Sequence, residues 1–398
     1  MYNKIFFRNL IKSSIFYLIF LIPIFLGLHA CNNSSEKFDN LKMNNLDTSD
    51  YETINIPDSM TFDFNKLIDS NSLEIIPLKM TDSSHFIEAS RIFVVDSTIV
   101  IFDKIMESVI LFNKKGSFIN RIDTDKLIAR IFKIAVDPLE KQIYIYDEKL
   151  KNILRYDLSG NLIDIIGKNY FFNSFNPIPN SSNFAYLVLQ DDNDRFSEIF
   201  SKSQVFIGNV HSLNSYVDQL KKDSLLTGNF LPEETLFSSS DYLYFSPPFS
   251  YSVYEIAEQT KLKYKLKFPG TSIKEVAKGK NTRQFVDLLN SKKYYHFDGI
   301  TYRAQNKIYF EIRKDELIGY FYDLKTKEIS GGRIVSVLKN GEKAVLPNFS
   351  YPVASNGSKF VSLISPPHLI FSNFIEKTKS KIDSKSKDMP LIILYNVL

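Results

Sequence analysis

The stretch IVIFDKIMESVILFNKKGSFINRI at residues 99–122 returns 44 residues later as IYIYDEKLKNILRYDLSGNLIDII at 143–166. Val100, Ile101, Phe102 and Asp103 fall on Tyr144, Ile145, Tyr146 and Asp147. Val109, Ile110, Phe112 and Asn113 fall on Ile153, Leu154, Tyr156 and Asp157, and Gly116 falls on Gly160. A period of about 40 to 45 residues, built of short strands and tight turns, is that of one β-propeller blade. Each copy divides into four strand-like runs, at 91–95, 98–103, 108–113 and 117–122, and at 131–136, 142–147, 152–157 and 161–166. The hairpins NKKG (113–116) and DLSG (157–160) both end in glycine, which takes φ > 0 without the clash a Cβ would bring.

Outward from this pair the repeat wears thin but stays readable. Runs at 184–189 and 204–209 flank an acidic turn and make a third unit. Those at 242–246, 252–256 and 262–268 make a fourth, and 300–303, 307–312, 319–323 and 328–334 a fifth. Helical insertions are predicted near 271–293, with Phe285, Leu288 and Leu289 on one face, and near 367–388. A sixth unit begins at 359–364 and lacks an outer strand, while LEIIPL (73–78) is a spare strand and PLIILYNVL (390–398) an apolar last one. Pairing the two chain ends in one blade closes the ring and removes its exposed edges. The predicted fold is therefore all-β: a six-bladed β-propeller of four-stranded antiparallel blades.

The N-terminus carries an address. Lys4, Arg8 and Lys12 precede an apolar run at 15–28, and the run ends in Leu28, His29, Ala30 and Cys31. A basic start, a short apolar core and a small residue before the cleavage point form a secretory signal. Leu-His-Ala-Cys resembles a bacterial lipobox, in which the cysteine is lipidated and becomes the new N-terminus. An uncleaved anchor helix is the other reading, and both place the body outside the cytoplasm. The expected organisation is a signal at 1–30, a flexible tether at 31–60 and the propeller at 61–398, with Cys31 as the lipidation site. Asn32 and Asn33 follow without an aspartate, which favours the outer membrane, facing the periplasm or the cell surface.

Composition narrows the function classes. Cys31 is the only cysteine, so lipidation leaves no disulfide, thiol nucleophile or thiolate ligand. The net charge of +4 comes largely from the signal; without it 46 basic residues face 45 acidic ones. A near-neutral chain lacks the footprint of a nucleic-acid binder. Phe (34) and Tyr (22) are abundant and favour sheet.

The pattern IYIYD…ILRYDLSGNLIDIIG, its weaker copy, the lipobox and the apolar last strand resemble the six-bladed β-propeller lipoproteins of Gram-negative bacteria, with NHL- and TolB-like blades. That resemblance covers nearly the whole mature chain and implies no established catalytic residues. The glycine-rich run common after the second blade in such proteins is absent, because Lys168, Asn169 and Tyr170 follow Gly167.

Candidate chemistry is sparse. Asp103, Asp147 and Asp323 end strands and either line one propeller face or, as the favoured reading, cap turns by accepting backbone N–H bonds. Asp191, Asp192, Asn193 and Asp194 lack the glycine and spacing of a calcium loop and read as a solvated hairpin tip. His85, His211, His296 and His368 show no metal-ligand spacing. No nucleotide, serine-hydrolase or cofactor motif occurs, so no cofactor and no metal are expected. Aromatic residues at 242–254 and 294–295 either stack on a ligand or face the core between blades; Tyr244, Phe249, Tyr251, Tyr294 and Tyr295 are the ligand candidates. These features point to a non-catalytic module, bound to the membrane by its lipid and recognising a glycan, peptide or protein. A propeller hydrolase or lyase gathering residues from several blades, and an accessory subunit of an outer-membrane uptake system, are the alternatives.

Overall fold

In the computed structural model, six antiparallel sheets form the six blades of a β-propeller. The described residues are 38–58, 61–188, 193, 199–220, 236–238, 241–247, 249–337, 343–345, 351–364 and 389–398. Blade 1 holds Arg91–Val95, Thr98–Asp103, Ser108–Asn113 and Phe118–Asp123 from the channel outward. Blade 2 repeats it with Ile131–Asp137, Gln142–Asp147, Asn152–Asp157 and Leu162–Gly167. Blade 3 is Ser174–Pro177, Phe184–Leu187, Val205–Gly208 and Leu213–Val217. Blade 4 is Leu236–Ser238, Leu243–Phe245, Ser252–Glu255 and Lys261–Lys267. Blade 5 is His296–Ala304, Lys307–Arg313, Leu317–Asp323 and Ile329–Val337, with Lys343–Val345 paired beyond it.

Blade 6 closes the ring as the spare-strand argument predicts. Ala354–Ser355, Phe360–Ile364 and Leu391–Tyr395 take Glu74–Pro77 as their outermost strand. Ile392 pairs with Ile76 and Ile393 with Ile75.

Strand periodicity explains why the middle strands of blades 1 and 2 are apolar on both faces. Successive side chains point to opposite faces, and both faces of a propeller blade are covered by neighbours. Ile99, Ile101, Ile110 and Phe112 pack toward blade 6, against Val361 and Ile392. Val100, Phe102, Val109 and Leu111 pack toward blade 2, against Ile143, Ile145 and Leu154. Tyr144, Tyr146 and Ile153 then face Phe175, Phe184 and Tyr186 of blade 3. The cores lie between blades, so each blade is held by its two neighbours.

Two devices of the repeat recur at equivalent places. Gly116 and Gly160 have φ of +71° and +83°. A Cβ on Gly116 would run into the Pro77 carbonyl of the preceding blade, and one on Gly160 would meet the Asn120 side chain. Asp103 and Asp147 are fully buried. Asp103 accepts from Ile105 N (2.9 Å) and Met106 N (3.0 Å) in the following turn, and from Ile87 N (2.6 Å) and Glu88 N (3.4 Å) in the connection from blade 6. Asp147 accepts from Lys149 N and Leu150 N, and from Ala129 N and Arg130 N. Each carboxylate thus clamps an inter-blade connection to a hairpin turn, the capping role favoured from sequence. Asp323 belongs elsewhere: it ends a third strand, like Asn113 and Asp157, and caps that hairpin through Lys325 N and Thr326 N.

The expected tether at 31–60 is corrected from residue 38 onward. Lys42–Asn44 pairs in parallel with the outer strand of blade 3, Glu52–Asn55 with that of blade 4 and Thr61–Asp63 with that of blade 5. The segment is a strap that runs past three successive blades and enters blade 6 as its outer strand. Tyrosine hydroxyls fasten it: Tyr320 donates to Pro57 O (3.1 Å), Tyr322 to Glu52 Oε1 (2.5 Å) and Tyr295 to Asp58 Oδ1 (2.7 Å). A polar composition reads as a linker, but unpaired sheet edges take a strand through its backbone and need few apolar side chains.

The helical insertion near 271–293 is present as Ile273–Val276 and Thr282–Asn290, each opened by a capping box, Ser272 with Glu275 and Asn281 with Gln284. Phe285 is buried against Phe249 and Ile273, with Leu288 and Leu289 beside it. The second insertion, at 367–388, lies outside the described residues, as do Asp191, Asp192 and Asp194. Asn193 is buried rather than at a solvated tip, and accepts from Phe171 N (2.8 Å).

Asp147→Ala leaves four backbone donors without their acceptor and should cost about 3 kcal/mol or more. Asp157→Ala, at an exposed turn, should cost about 1 kcal/mol. Urea-unfolding midpoints of the two variants check the order; equal losses would contradict the clamp.

Candidate functional site at the inner end of blade 5

The five aromatic candidates do not form one platform. Tyr244 is 2% exposed, within the core between blades 4 and 5, and meets Arg303 Nη1 at 3.3 Å through its hydroxyl. Tyr295 is 4% exposed, stacks on Phe268 and holds the strap through Asp58. Tyr251 packs edge-on against Phe268 and donates to Tyr295 O. These three are corrected to core and strap residues: Tyr244 sits on a blade strand and faces the neighbouring blade, and Tyr251 and Tyr295, just before their strands, pack on Phe268 beside the strap. Phe249 is buried under the helical insertion, edge-on to Phe285, and half-buried Tyr294 packs in the same cluster. Phe249 leads to a titratable side chain near the channel: its ring centre lies 6.0 Å from that of His296.

That histidine opens the innermost strand of blade 5. The strand pairs His296 with Arg313 and Phe297 with Ile312, then slips register and resumes at Thr301. Asp298, Gly299 and Ile300 form the bulge, with Gly299 at φ +94°. A bulge bends a strand and re-aims its side chains. Here Asp298 Oδ2 lies 2.7 Å from Arg313 Nε, and Oδ1 lies 3.6 Å from His296 Nε2. Glu311, two residues before Arg313 and so on the same face, accepts from Arg313 Nη2 at 3.4 Å. His296, Asp298, Glu311 and Arg313 thus share one end of the two strands nearest the channel.

Arg313 ends its strand where Asp103 and Asp147 end theirs. It pairs with Leu317 across the next turn, as Asp103 does with Ser108 and Asp147 with Asn152. The cluster stands where a clamp aspartate stands in blades 1 and 2, and on the same face of the ring. In sequence the signal is KIYFEIR (307–313) set against TIVIFD (98–103) and QIYIYD (142–147), with a cation in place of the terminal carboxylate.

Burial sets the protonation states. Glu311 is pushed up to about 7, chiefly by desolvation, with Arg313 opposing and Asp298 adding to the rise. His296 is lowered, chiefly by burial, with Asp298 pulling the other way. Near neutral pH the cluster offers an Asp298–Arg313 ion pair, a neutral imidazole and a carboxyl poised between its two forms. Among the described residues no group of three or more His, Cys, Asp or Glu has the geometry to hold a metal ion. His85 and His211 are exposed and away from this cluster, and His368 lies outside the described residues.

Glu311 keeps its proton to about pH 7 in the folded chain but loses it near the ordinary 4.5 when unfolded. Between those values the folded state binds more protons, so stability falls as pH rises through the window. His296 acts in the opposite sense: below its ordinary 6.5 the unfolded chain takes up the proton first, and stability falls as pH drops. Glu311→Gln should flatten the loss between pH 4.5 and 7 and stabilise the chain at pH 8 by on the order of 2–3 kcal/mol. Thermal midpoints across pH check this; a variant with the parent's slope would contradict a buried, proton-holding carboxyl.

Comparison with known proteins supports the fold. The chain is similar to a candidate exported protein of Bacteroides fragilis NCTC 9343, with 12% identity, a TM-score of 0.65, and 90% of this chain and 100% of that one covered. It is also similar to a member of the DUF4221 family from Bacteroides vulgatus ATCC 8482, with 8% identity, a TM-score of 0.47, and 83% and 99% covered. No curated protein matches the sequence. Over residues 51–394 the sequence matches the model of the domain of unknown function DUF4934, and the chain belongs to that family.

Proposed function

We propose that this chain is a lipid-anchored cell-envelope propeller that binds a neutral, hydroxyl-rich ligand, such as a glycan fragment, without transforming it. The observation that carries this reading is the Asp298–Arg313 pair at the inner end of blade 5, with His296 beside it. A carboxylate and a guanidinium side by side supply acceptors and donors in fixed geometry, which suits vicinal hydroxyls. Half-buried Tyr294, packed by the helical insertion, adds an aromatic edge of the kind that sugars favour. All four charged or titratable groups come from one blade, and Arg313 already engages both carboxylates. That arrangement suits recognition better than an acid–base pair gathered across the channel.

One observation favours the second reading, a propeller hydrolase or lyase. Glu311 at about 7 has the proton affinity a general acid or base needs near neutral pH. The anchor reading rests on Cys31 and the signal before it, and puts the propeller on the periplasmic or outer side of an outer membrane.

Two experiments test these readings. Titration calorimetry against neutral oligosaccharides should give saturable binding that Arg313→Ala and Asp298→Ala each weaken about tenfold or more, or ~1.4 kcal/mol. Product formation that Glu311→Gln abolishes would replace binding with catalysis. Cys31→Ser should abolish incorporation of a labelled fatty acid and release the chain from the membrane fraction; unchanged labelling would end the anchor reading.

A further inference from the structure

The ring is not evenly apolar on its outside. Nine large aliphatic side chains between Ile87 and Ile165 are exposed, all in blades 1 and 2 or in the connections that flank them. Elsewhere among the described residues only Met43, Tyr51 and Leu398 are comparable. Three of the nine project from one face. Ile87 is 63% exposed, Ile105 57% and Leu150 45%. Their common face follows from the clamps they share: Ile87 N and Ile105 N both donate to Asp103, and Leu150 N donates to Asp147. Arg130 ties the two turns together, meeting Glu107 of the first at 3.7 Å and Glu148 of the second at 2.8 Å. The buried clamps therefore hold exposed aliphatic side chains at fixed positions, side by side.

Lysine flanks each turn's apolar tip. Lys104 precedes Ile105, and Lys149 and Lys151 bracket Leu150, while Arg130 engages the two nearby glutamates. Aliphatic tips that immerse beside ammonium groups that stay at the headgroups form a membrane-surface pattern.

The strap limits how far this face can stand from a bilayer. Phe38 packs among Tyr144, Tyr146 and Ile166 of blade 2 and edge-on to Tyr170 and Phe200. It is the seventh residue after Cys31. Fully extended, that length spans roughly 25 Å. A chain anchored at Cys31 therefore carries blade 2 close to the lipid and cannot lift it away.

We infer that the clamp face of blades 1 and 2 is a second membrane contact, with Ile105 and Leu150 inserted into the bilayer that holds the Cys31 lipid. This rests on the anchor reading. The contact turns the clamp face of blades 1 and 2 toward the headgroups, and the charged cluster of blade 5, which stands on that same face across the ring, then opens on the membrane side.

Site-directed labelling tests this on the full chain. Cys31 is the only cysteine and acylation blocks it, so an introduced cysteine alone takes an environment-sensitive fluorophore. Ile105→Cys and Leu150→Cys place the label on the clamp face, and Leu139→Cys places it on the turn at the opposite end of blade 2. In vesicles of phosphatidylethanolamine and phosphatidylglycerol, labels at 105 and 150 should shift to the blue and be quenched by lipid-borne nitroxide, and the label at 139 should do neither. Intact mass reads the acyl group separately. Aqueous spectra at 105 and 150 on an acylated, vesicle-bound chain overturn the contact and leave the anchor standing. A chain without the acyl mass whose labels stay aqueous overturns both.

Discussion

A ring of sheets has two ends to join, and in this propeller the join is made by backbone pairing. Glu74–Pro77 completes blade 6 against Leu391–Tyr395, so the chain's beginning and end share one sheet. Without that pairing the apolar strand Leu391–Tyr395, fully buried, would present a bare edge. The strap extends the same logic backwards. Before reaching blade 6, the chain lays a parallel strand on each of blades 3, 4 and 5. A residue pair in the strap binds one blade to the next, because the strap is continuous while the blades are separate sheets. Opening the ring there requires stripping several pairings together.

The strap's course divides the propeller into two kinds of blade. Blades 1 and 2 keep the repeat closely, with strands of five to seven residues, a glycine in the outer hairpin and a buried aspartate clamp, and among the described residues no further strand lies on their edges. Blades 3 to 5 depart from it and are the strapped ones. Blade 4 has three-residue inner strands, and blade 5 carries a bulge with a helical insertion before it. Local regularity and strap coverage are complementary: where side-chain devices hold a blade to its neighbour, no extra strand is present, and where they are missing the strap adds backbone hydrogen bonds and tyrosine anchors.

This division also explains what could be read from the sequence. The 44-residue repeat, the glycines at 116 and 160, the ring closure and the helix bearing Phe285 were legible because each depends on local periodicity or on a single backbone requirement. The inner strands Ser174–Pro177, Leu236–Ser238 and Ala354–Ser355 were not: they have two to four residues, and their partners supply the pairing. The strap was illegible for a related reason. Residues 42–63 bind through main-chain groups, which every sequence has, so their polar side chains read as a linker. Tyr295 misled in the same way, since a tyrosine that fastens a strap and one that stacks on a ligand have the same pattern in a chain. The charged cluster was half visible: His296 stood out as a histidine, but Asp298 and Arg313 meet only through a bulge that the sequence does not announce.

The cluster stands where the repeat's own stabilising residue is missing. In blades 1 and 2 the second strand ends in a carboxylate whose four backbone partners leave it no capacity for anything else. Arg313 takes that place in blade 5 and cannot accept those bonds, so the connection and turn around it are free to differ, and the helical insertion with its capping boxes enters there. Replacing the acceptor with a cation also draws two carboxylates toward it, one of them so buried that it holds its proton to about pH 7. A desolvated carboxyl of this kind opposes folding at neutral pH. Blade 5 is also the blade to which the strap is fastened by three tyrosines, Tyr295, Tyr320 and Tyr322. The strap therefore supports the blade that has given up its clamp, and the position released by the repeat is the one that carries the charged cluster.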